Sequence, residues 1–420
     1  MSQPDPHIFP FPSPSSSTTQ KTTIKRPQEL AFFSFDDTHK CHPLSSESLR
    51  YYYPAMFDAP WAPHDRGPDL SQGFEHFEKY DEGKEDSHLD ALLETLRCKE
   101  EREGERVEVD VVTWRGMMTK ILAAPFDPYE EEFEMNVTYF DGTIFIEENF
   151  AAKAEKQSKE ASRPPRRGNG PSQEMMQYWG YKFESLSTLP HPFPDCTRQE
   201  IESRPSLPVS TAAQFCSIVR TTIGSTNLLL AGEVDCIVGA KPSPPASPTL
   251  PPTGADTAKA TAKPPEQIPY VELKTSQAFD PNDHRSAEKF ERKLCKFWAQ
   301  SFLLGIPKIV VGFRTQAGYL SSIQEFDTMG IPGLVKRGGG TWDGNVCVGF
   351  AAGVVEWLKE RCREEGTVWR LKRAKRARNL TLSKVEGMQG DGGILEAGFR
   401  RWREGLRGRN REEKGEESGT

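Results

Sequence analysis

Apolar and polar positions divide the chain into short runs with distinct periods. Leu30-Ala31-Phe32-Phe33-Ser34-Phe35 is an aromatic run of strand type, and ordered structure is expected to begin there. Leu49-Arg50-Tyr51-Tyr52-Tyr53-Pro54 follows, with tyrosines that suit either a buried sheet edge or stacking on bases. Between Ser87 and Lys99, Leu89, Leu92, Leu93 and Leu96 recur at helical spacing, which predicts a helix with that stripe in the core. Val107 to Thr113 alternates as a strand and runs into Trp114-Arg115-Gly116. Strands are predicted again over Met117 to Ala124 and Glu132 to Phe145, with Asp141-Gly142 as a hairpin turn. Tyr178 to Glu184 reads as an aromatic strand closing on Glu184, and Leu207 to Gly224 as a helix capped by Ser210 or Thr211. Asp283 opens a long helix whose apolar face is Phe290, Leu294, Phe297, Trp298 and Phe302. Ile306 to Arg314 reads as a buried strand, Val346 to Arg361 as a helix, and Asn379 to Glu386 as a last strand.

The polar stretches set the domain limits. Residues 1–28 are rich in Pro, Ser and Thr and predict a disordered leader. Residues 151–173 are charged and proline-bearing and predict a mobile loop. Residues 241–267 contain almost no bulky apolar side chain. They read as a disordered insertion between two strands that still pair, which is tolerable because loop closure grows costly only slowly with length. The tail from 403 to 420 is charged and predicted to be disordered. What remains, residues 29–402, reads as one folded domain.

Composition narrows the partners. The 420 residues carry a formal net charge of −7, so bulk charge does not draw this chain onto nucleic acid; any such contact needs a local basic groove. The basic run from 367 to 378 suits either a nuclear import signal or a solvated strand. The eight cysteines form no CxxC pair, which fits reduced thiols rather than a zinc or disulfide framework. No apolar run approaches the length of a membrane span.

The chemistry lies in two acidic stretches where apolar runs end. Gly232-Glu233-Val234-Asp235 follows Leu228-Leu229-Leu230, and Val271-Glu272-Leu273-Lys274 follows Ile268-Pro269-Tyr270. Residues two apart in a strand point the same way, so Glu233 pairs with Asp235 and Glu272 with Lys274. If these strands pair, three carboxylates and one ammonium converge. Such oxygens suit Mg²⁺ or Mn²⁺, and the lysine can stabilise charge on a phosphate. The D…ExK arrangement is the logic of the PD-(D/E)XK nuclease fold. Arg115, at a strand end beside glycine, either grips a phosphate or forms a salt bridge to a nearby acid, the second being the commoner outcome.

Five motifs in order carry a family resemblance: Trp114-Arg115-Gly116, Gly180 to Glu184, Gly232 to Asp235, Val271 to Thr275, and Lys296 to Phe302. With them the chain resembles the DXO family of RNA 5′-end decapping enzymes, including its fungal nuclear branch. That resemblance implies a single α/β domain of two mixed sheets with flanking helices. It implies that Glu184, Asp235, Glu272 and the Leu273 carbonyl bind a divalent metal, Mg²⁺ or Mn²⁺, and that Glu233 reaches it through a water. Lys274 and Gln300 would face the attacking water and the scissile phosphate, and Arg115 the RNA backbone. The expected activities are pyrophosphate release from 5′-triphosphate RNA, removal of incomplete guanosine caps, and removal of NAD caps. The expected partner is a nuclear 5′→3′ exoribonuclease, with the nucleus as location. The alternative is a non-catalytic activator of that exoribonuclease.

Overall fold

The computed structural model describes residues 6–12, 22–55, 67–81, 83–128, 131–162, 170–242, 267–388 and 390–417. Two mixed sheets form the frame. The larger runs, from edge to edge, His7–Pro10, Asn379–Lys384, Val368–Arg373, Phe133–Phe140, Thr143–Glu148, Val111–Trp114, Thr226–Glu233, Gln214–Ile223, Ile24–Phe35 and Cys41–Pro43. The smaller runs Leu320–Asp327, Lys308–Arg314, Tyr270–Gln277, Cys236–Ile237, Tyr51–Tyr52 and Thr188–Leu189. Val111–Trp114 is parallel to both of its neighbours, and Tyr270–Gln277 is parallel to Lys308–Arg314. Helices Arg115–Ala123, His284–Leu304 and Gly344–Arg361 pack together on the large sheet, and the main core lies beneath them. A smaller core joins Trp179 and Phe183 of helix Gln173–Leu186 to Val271 and Leu273 of the small sheet.

Several expectations hold. The leucine stripe forms helix Asp90–Glu103, and Asp141-Gly142 turns the hairpin with φ of 49° and 79°, the left-handed pair that a two-residue hairpin turn requires. Cys236 pairs with Val271 across the 241–267 insertion. The insertion itself lies outside the described residues over 243–266.

Other expectations are corrected. Met117 to Ala124 is helical, within Arg115–Ala123. Met117, Met118, Thr119, Ile121, Leu122 and Ala123 are all buried, so no amphipathic period marks it. Leu207 to Gly224 contains strand Gln214–Ile223 rather than a helix. This strand is covered on both faces, which erases its alternation, while its β-branched residues favour extended backbone. Tyr178 to Glu184 lies in helix Gln173–Leu186, capped by Ser172 accepting from Met175 N; Tyr178, Trp179, Lys182, Phe183 and Leu186 form its buried stripe.

Three stretches expected to lack structure have it. Helix Phe150–Ala161 occupies part of the charged 151–173 stretch, which is rich in the helix formers Ala, Lys and Glu; residues 163–169 lie outside the described residues. Within the leader, His7–Pro10 pairs with Asn379–Lys384, Phe9 packs on Phe350 and Trp357, and the long strand begins at Ile24. In the tail, helix Ala397–Glu417 docks on Asp90–Glu103. Phe399 is buried, Trp402 Nε1 donates to Glu100 Oε2 at 3.0 Å, and Arg403 Nη2 donates to Glu100 Oε1 at 2.6 Å. Arg403 is 2% exposed and Glu100 is fully buried, so each neutralises the other in a dry setting. Removing one partner strands the other's charge. Arg403→Ala is therefore expected to lower unfolding free energy by about 3 kcal/mol in urea titration. A variant as stable as the parent would show that the helix does not support the fold.

Candidate active site

The site forms where the chain passes from one sheet to the other. Thr226–Glu233 belongs to the large sheet and Cys236–Ile237 to the small one. Glu233 thus ends one strand, and Asp235 lies in the passage between them. The two acids do not sit on one continuous strand face, and pairing to Tyr270–Gln277 begins only at Cys236. Gly232 makes the junction possible. A Cβ there would lie 2.9 Å from Arg115 Cβ and 2.9 Å from Leu304 Cδ1, so glycine lets both close on the strand end.

Tyr270–Gln277 obeys the two-residue period. Val271 and Leu273 enter the smaller core, leaving Glu272 and Lys274 on the other side. Lys274 Nζ lies 2.7 Å from Glu272 Oε1 and 3.9 Å from Asp235 Oδ2. Arg115 Nη1 donates to Glu272 Oε2 at 2.9 Å, and the backbone N–H of Leu273 donates to Asp235 Oδ2 at 2.6 Å. Arg115 therefore forms the salt bridge its position allowed, and the acid is Glu272. Glu184 comes from helix Gln173–Leu186, which packs on this strand. Gln300 lies half-buried on helix His284–Leu304, which packs on both acid-bearing strands, and its amide enters none of the hydrogen bonds named above.

The electrostatics are those of crowded carboxylates. Burial, then Asp235 and Glu233, push Glu184 well above its ordinary value. Burial and Asp235 push Glu233 up to about 7, although its side chain faces the open cleft. Burial pushes Asp235 up to about 6, against Lys274. Glu272 moves the other way: burial opposes its charge, but Arg115 and Lys274 together outweigh it. Burial likewise opposes the charge on Lys274, yet Glu272 and Asp235 raise it.

This donor set fits a hard divalent cation. The side chains are all oxygen donors, and Glu272 Oε1 is buried without a hydrogen bond of proper geometry, even with the ammonium nearby. A cation would relieve the repulsion that raises Glu184, Glu233 and Asp235. Among the described residues, the cleft acids do not bring three ligand atoms within 4.8 Å of one another; Asp86, His88 and Glu147 do. That second group satisfies itself by hydrogen bonds. His88 Nδ1 meets Glu147 Oε2 at 2.8 Å and Asn136 Nδ2 donates to Glu147 Oε1 at 2.8 Å, while the His88 carbonyl accepts from Trp114 Nε1 at 3.1 Å. Its evident effect is to brace Trp114, the residue before Arg115. Glu184, Glu233 and Asp235 line a cavity of about 2400 Å³, together with Arg50, Tyr181 and Phe215.

Comparison with known proteins places this geometry. A family model described as RAI1-like PD-(D/E)XK nuclease matches residues 25–400. The chain belongs to that family. Decapping nuclease RAI1 of Emericella nidulans is 45% identical over 383 residues, covering 91% of this chain and 94% of its own. Its namesake in Neurospora crassa is 46% identical over 397 residues, covering 94% and 87%. Among solved structures, Candida albicans Rai1 in complex with pU5-Mn²⁺ superposes with a TM-score of 0.79 at 28% identity, covering 95% of this chain and all of that one. Scheffersomyces stipitis Rai1 in complex with (3′-NADP)⁺ and calcium ion gives 0.78 at 29%, covering 92% and 97%. The RAI1-like assignment bears out the expected fold class and an enzyme of the decapping-nuclease kind. Among the described residues, no helix is long and apolar enough to cross a membrane.

The raised carboxyls give a test with a sign. A group whose folded pKa lies above its unfolded value contributes stability at low pH and loses it as pH rises through the folded value. For Asp235 the loss runs from pH 3.8 to about 6, and for Glu233 from 4.5 to about 7. The metal-free chain should therefore weaken from about pH 5 to about pH 8. Because Mn²⁺ binds the deprotonated acids, it should raise the melting temperature more at the upper pH. Differential scanning fluorimetry at both pH values checks this, and an equal or absent shift would remove the cation from the site.

Proposed function

We propose that this chain hydrolyses the 5′ ends of RNA with a divalent metal, Mg²⁺ or Mn²⁺. It releases pyrophosphate from 5′-triphosphate RNA and removes incomplete guanosine caps. The observation that carries this reading is the meeting of Asp235 and Glu272 on one ammonium, Lys274, beside a large cleft that Glu184 and Glu233 line. Family membership supplies the reaction class.

Glu184, Asp235, Glu272 and the Leu273 carbonyl would hold the metal, with Glu233 acting through a water. Once bound, the cation would polarise the scissile phosphate and lower the pKa of the attacking water. The protein's own groups do the rest. Lys274 stays protonated between two acids and stabilises charge developing on the phosphate. The backbone N–H of Leu273 fixes the Asp235 carboxylate. Arg115 orients Glu272, and the family resemblance implies that it meets the RNA backbone. Gln300 positions the water or the phosphate. Removal of NAD caps extends the same chemistry, and the (3′-NADP)⁺ held by S. stipitis Rai1 supports it. Partnership with a nuclear 5′→3′ exoribonuclease, and a nuclear location, rest on resemblance to the fungal branch. A purely non-catalytic activator would not require this acid set.

Glu233→Ala with Asp235→Ala should reduce pyrophosphate release by at least roughly 100-fold in Mn²⁺, and Lys274→Ala by a comparable factor of roughly 100 to 1000. Parallel assays on triphosphate, unmethylated-cap, methylated-cap and NAD-capped RNA would rank the substrates. Full activity in the double variant would end the assignment. Co-purification with the exoribonuclease should survive the acid substitutions, and its absence from the parent chain would remove the partnership.

A further inference from the structure

Helix His284–Leu304 carries more than Gln300. Its apolar side, including Phe290, Leu294 and Trp298, is in the main core. Beside that side, Lys289, Arg292, Lys293 and Lys296 recur at three- and four-residue steps, and Gln300 lies four further on. From Lys289 to Gln300 this stripe is about 16 Å long.

The stripe is only partly neutralised. Arg292 has Glu288 at 3.5 Å, and Lys296 has Asp127 at 3.3 Å and Glu131 at 3.5 Å. Lys293 instead donates to the carbonyl of Thr275, the residue after Lys274, at 2.7 Å. Lys289 enters no ion pair among the described residues. Arg314 closes the group. It is 9% exposed, its guanidinium stacks 4.1 Å over the Trp179 ring, and its Nε has no hydrogen bond. Partial burial of the Lys293 ammonium, then the neighbouring cations Arg314, Lys289 and Lys274, push it down to about 8, although the side chain as a whole is exposed. An ordinary solvated face intersperses both signs. Here Arg285, Lys289, Arg292, Lys293 and Lys296 outnumber Asp127, Glu131 and Glu288 along a groove of about 530 Å³, so positive charge is in excess.

We propose that this stripe carries the phosphate backbone of the RNA beyond its reacting 5′ end. The inference rests on RNA hydrolysis at the cleft. A chain of net charge −7 needs a local basic track to hold a polyanion, and this one ends at Gln300 and Lys274. An acidic segment of a protein partner is the competing occupant.

The test compares K289A/K293A with the parent chain on two substrates in Mn²⁺: a triphosphorylated dinucleotide and a long single-stranded 5′-triphosphate RNA. For the long RNA, KM should rise roughly ten-fold with kcat little changed, and the slope of log KM against log salt should fall by about 1.4. The dinucleotide should be hydrolysed as before, and K289R/K293R should restore the long-RNA KM. An unchanged long-RNA KM overturns the proposal, including where the variant loses only an acidic protein partner. Equal loss on both substrates overturns it as well, because the lysines would then serve the fold or the reaction centre. A parent chain that hydrolyses neither substrate overturns the cleft assignment and this inference with it.

Discussion

Glu272 has no exposed surface, yet it keeps its charge because Arg115 and Lys274 each hold one of its oxygens. The arrangement does more than neutralise a carboxylate. Arg115 follows directly on a strand of the large sheet, while Glu272 and Lys274 belong to the small one. Asp235 lies in the passage between the sheets and is bound to the backbone of Leu273. Charge therefore fixes how the two sheets meet, at the place where chemistry is to occur. Loss of one partner leaves an uncompensated buried charge, a cost of about 3 to 5 kcal/mol. The site and the sheet junction are one construction.

That dependence explains why so much of the site was legible before the fold was known. The period of two along Val271 to Lys274 needs only an extended backbone, and it correctly put Glu272 beside Lys274. Motif order supplied Glu184 even though its local structure was misread. An aromatic-rich stretch favours strands in general, but Tyr178, Trp179, Phe183 and Leu186 here form the buried stripe of a helix. From that helix Glu184 lines the cleft together with Glu233 and Asp235. Arg115 was left between two readings because an arginine at a strand end carries no label for its partner. Burial against Glu272 decides it.

Elsewhere the misreadings share a cause. Periodicity reports one-sided burial, and it fails for elements covered all round. Helix Arg115–Ala123 and strand Gln214–Ile223 are both of that kind. The opposite error arose with charge. Arg403 looked like part of a solvated tail, whereas it pairs with a glutamate on a helix some 300 residues earlier. Only tertiary structure discloses such a partner. The basic side of helix His284–Leu304 escaped because its apolar residues, Phe290, Leu294 and Trp298 among them, dominated the reading.

The edge strand His7–Pro10 finds its partner in Asn379–Lys384, almost at the opposite end of the described chain. During synthesis this partner emerges long after the strand itself. Until then, Phe9 has neither Phe350 nor Trp357 to cover it. Contacts so remote in sequence form late and slowly, and meanwhile leave apolar surface for chaperones to shield. The catalytic junction, whose named groups lie between Arg115 and Gln300, can thus assemble while this margin of the sheet stays open.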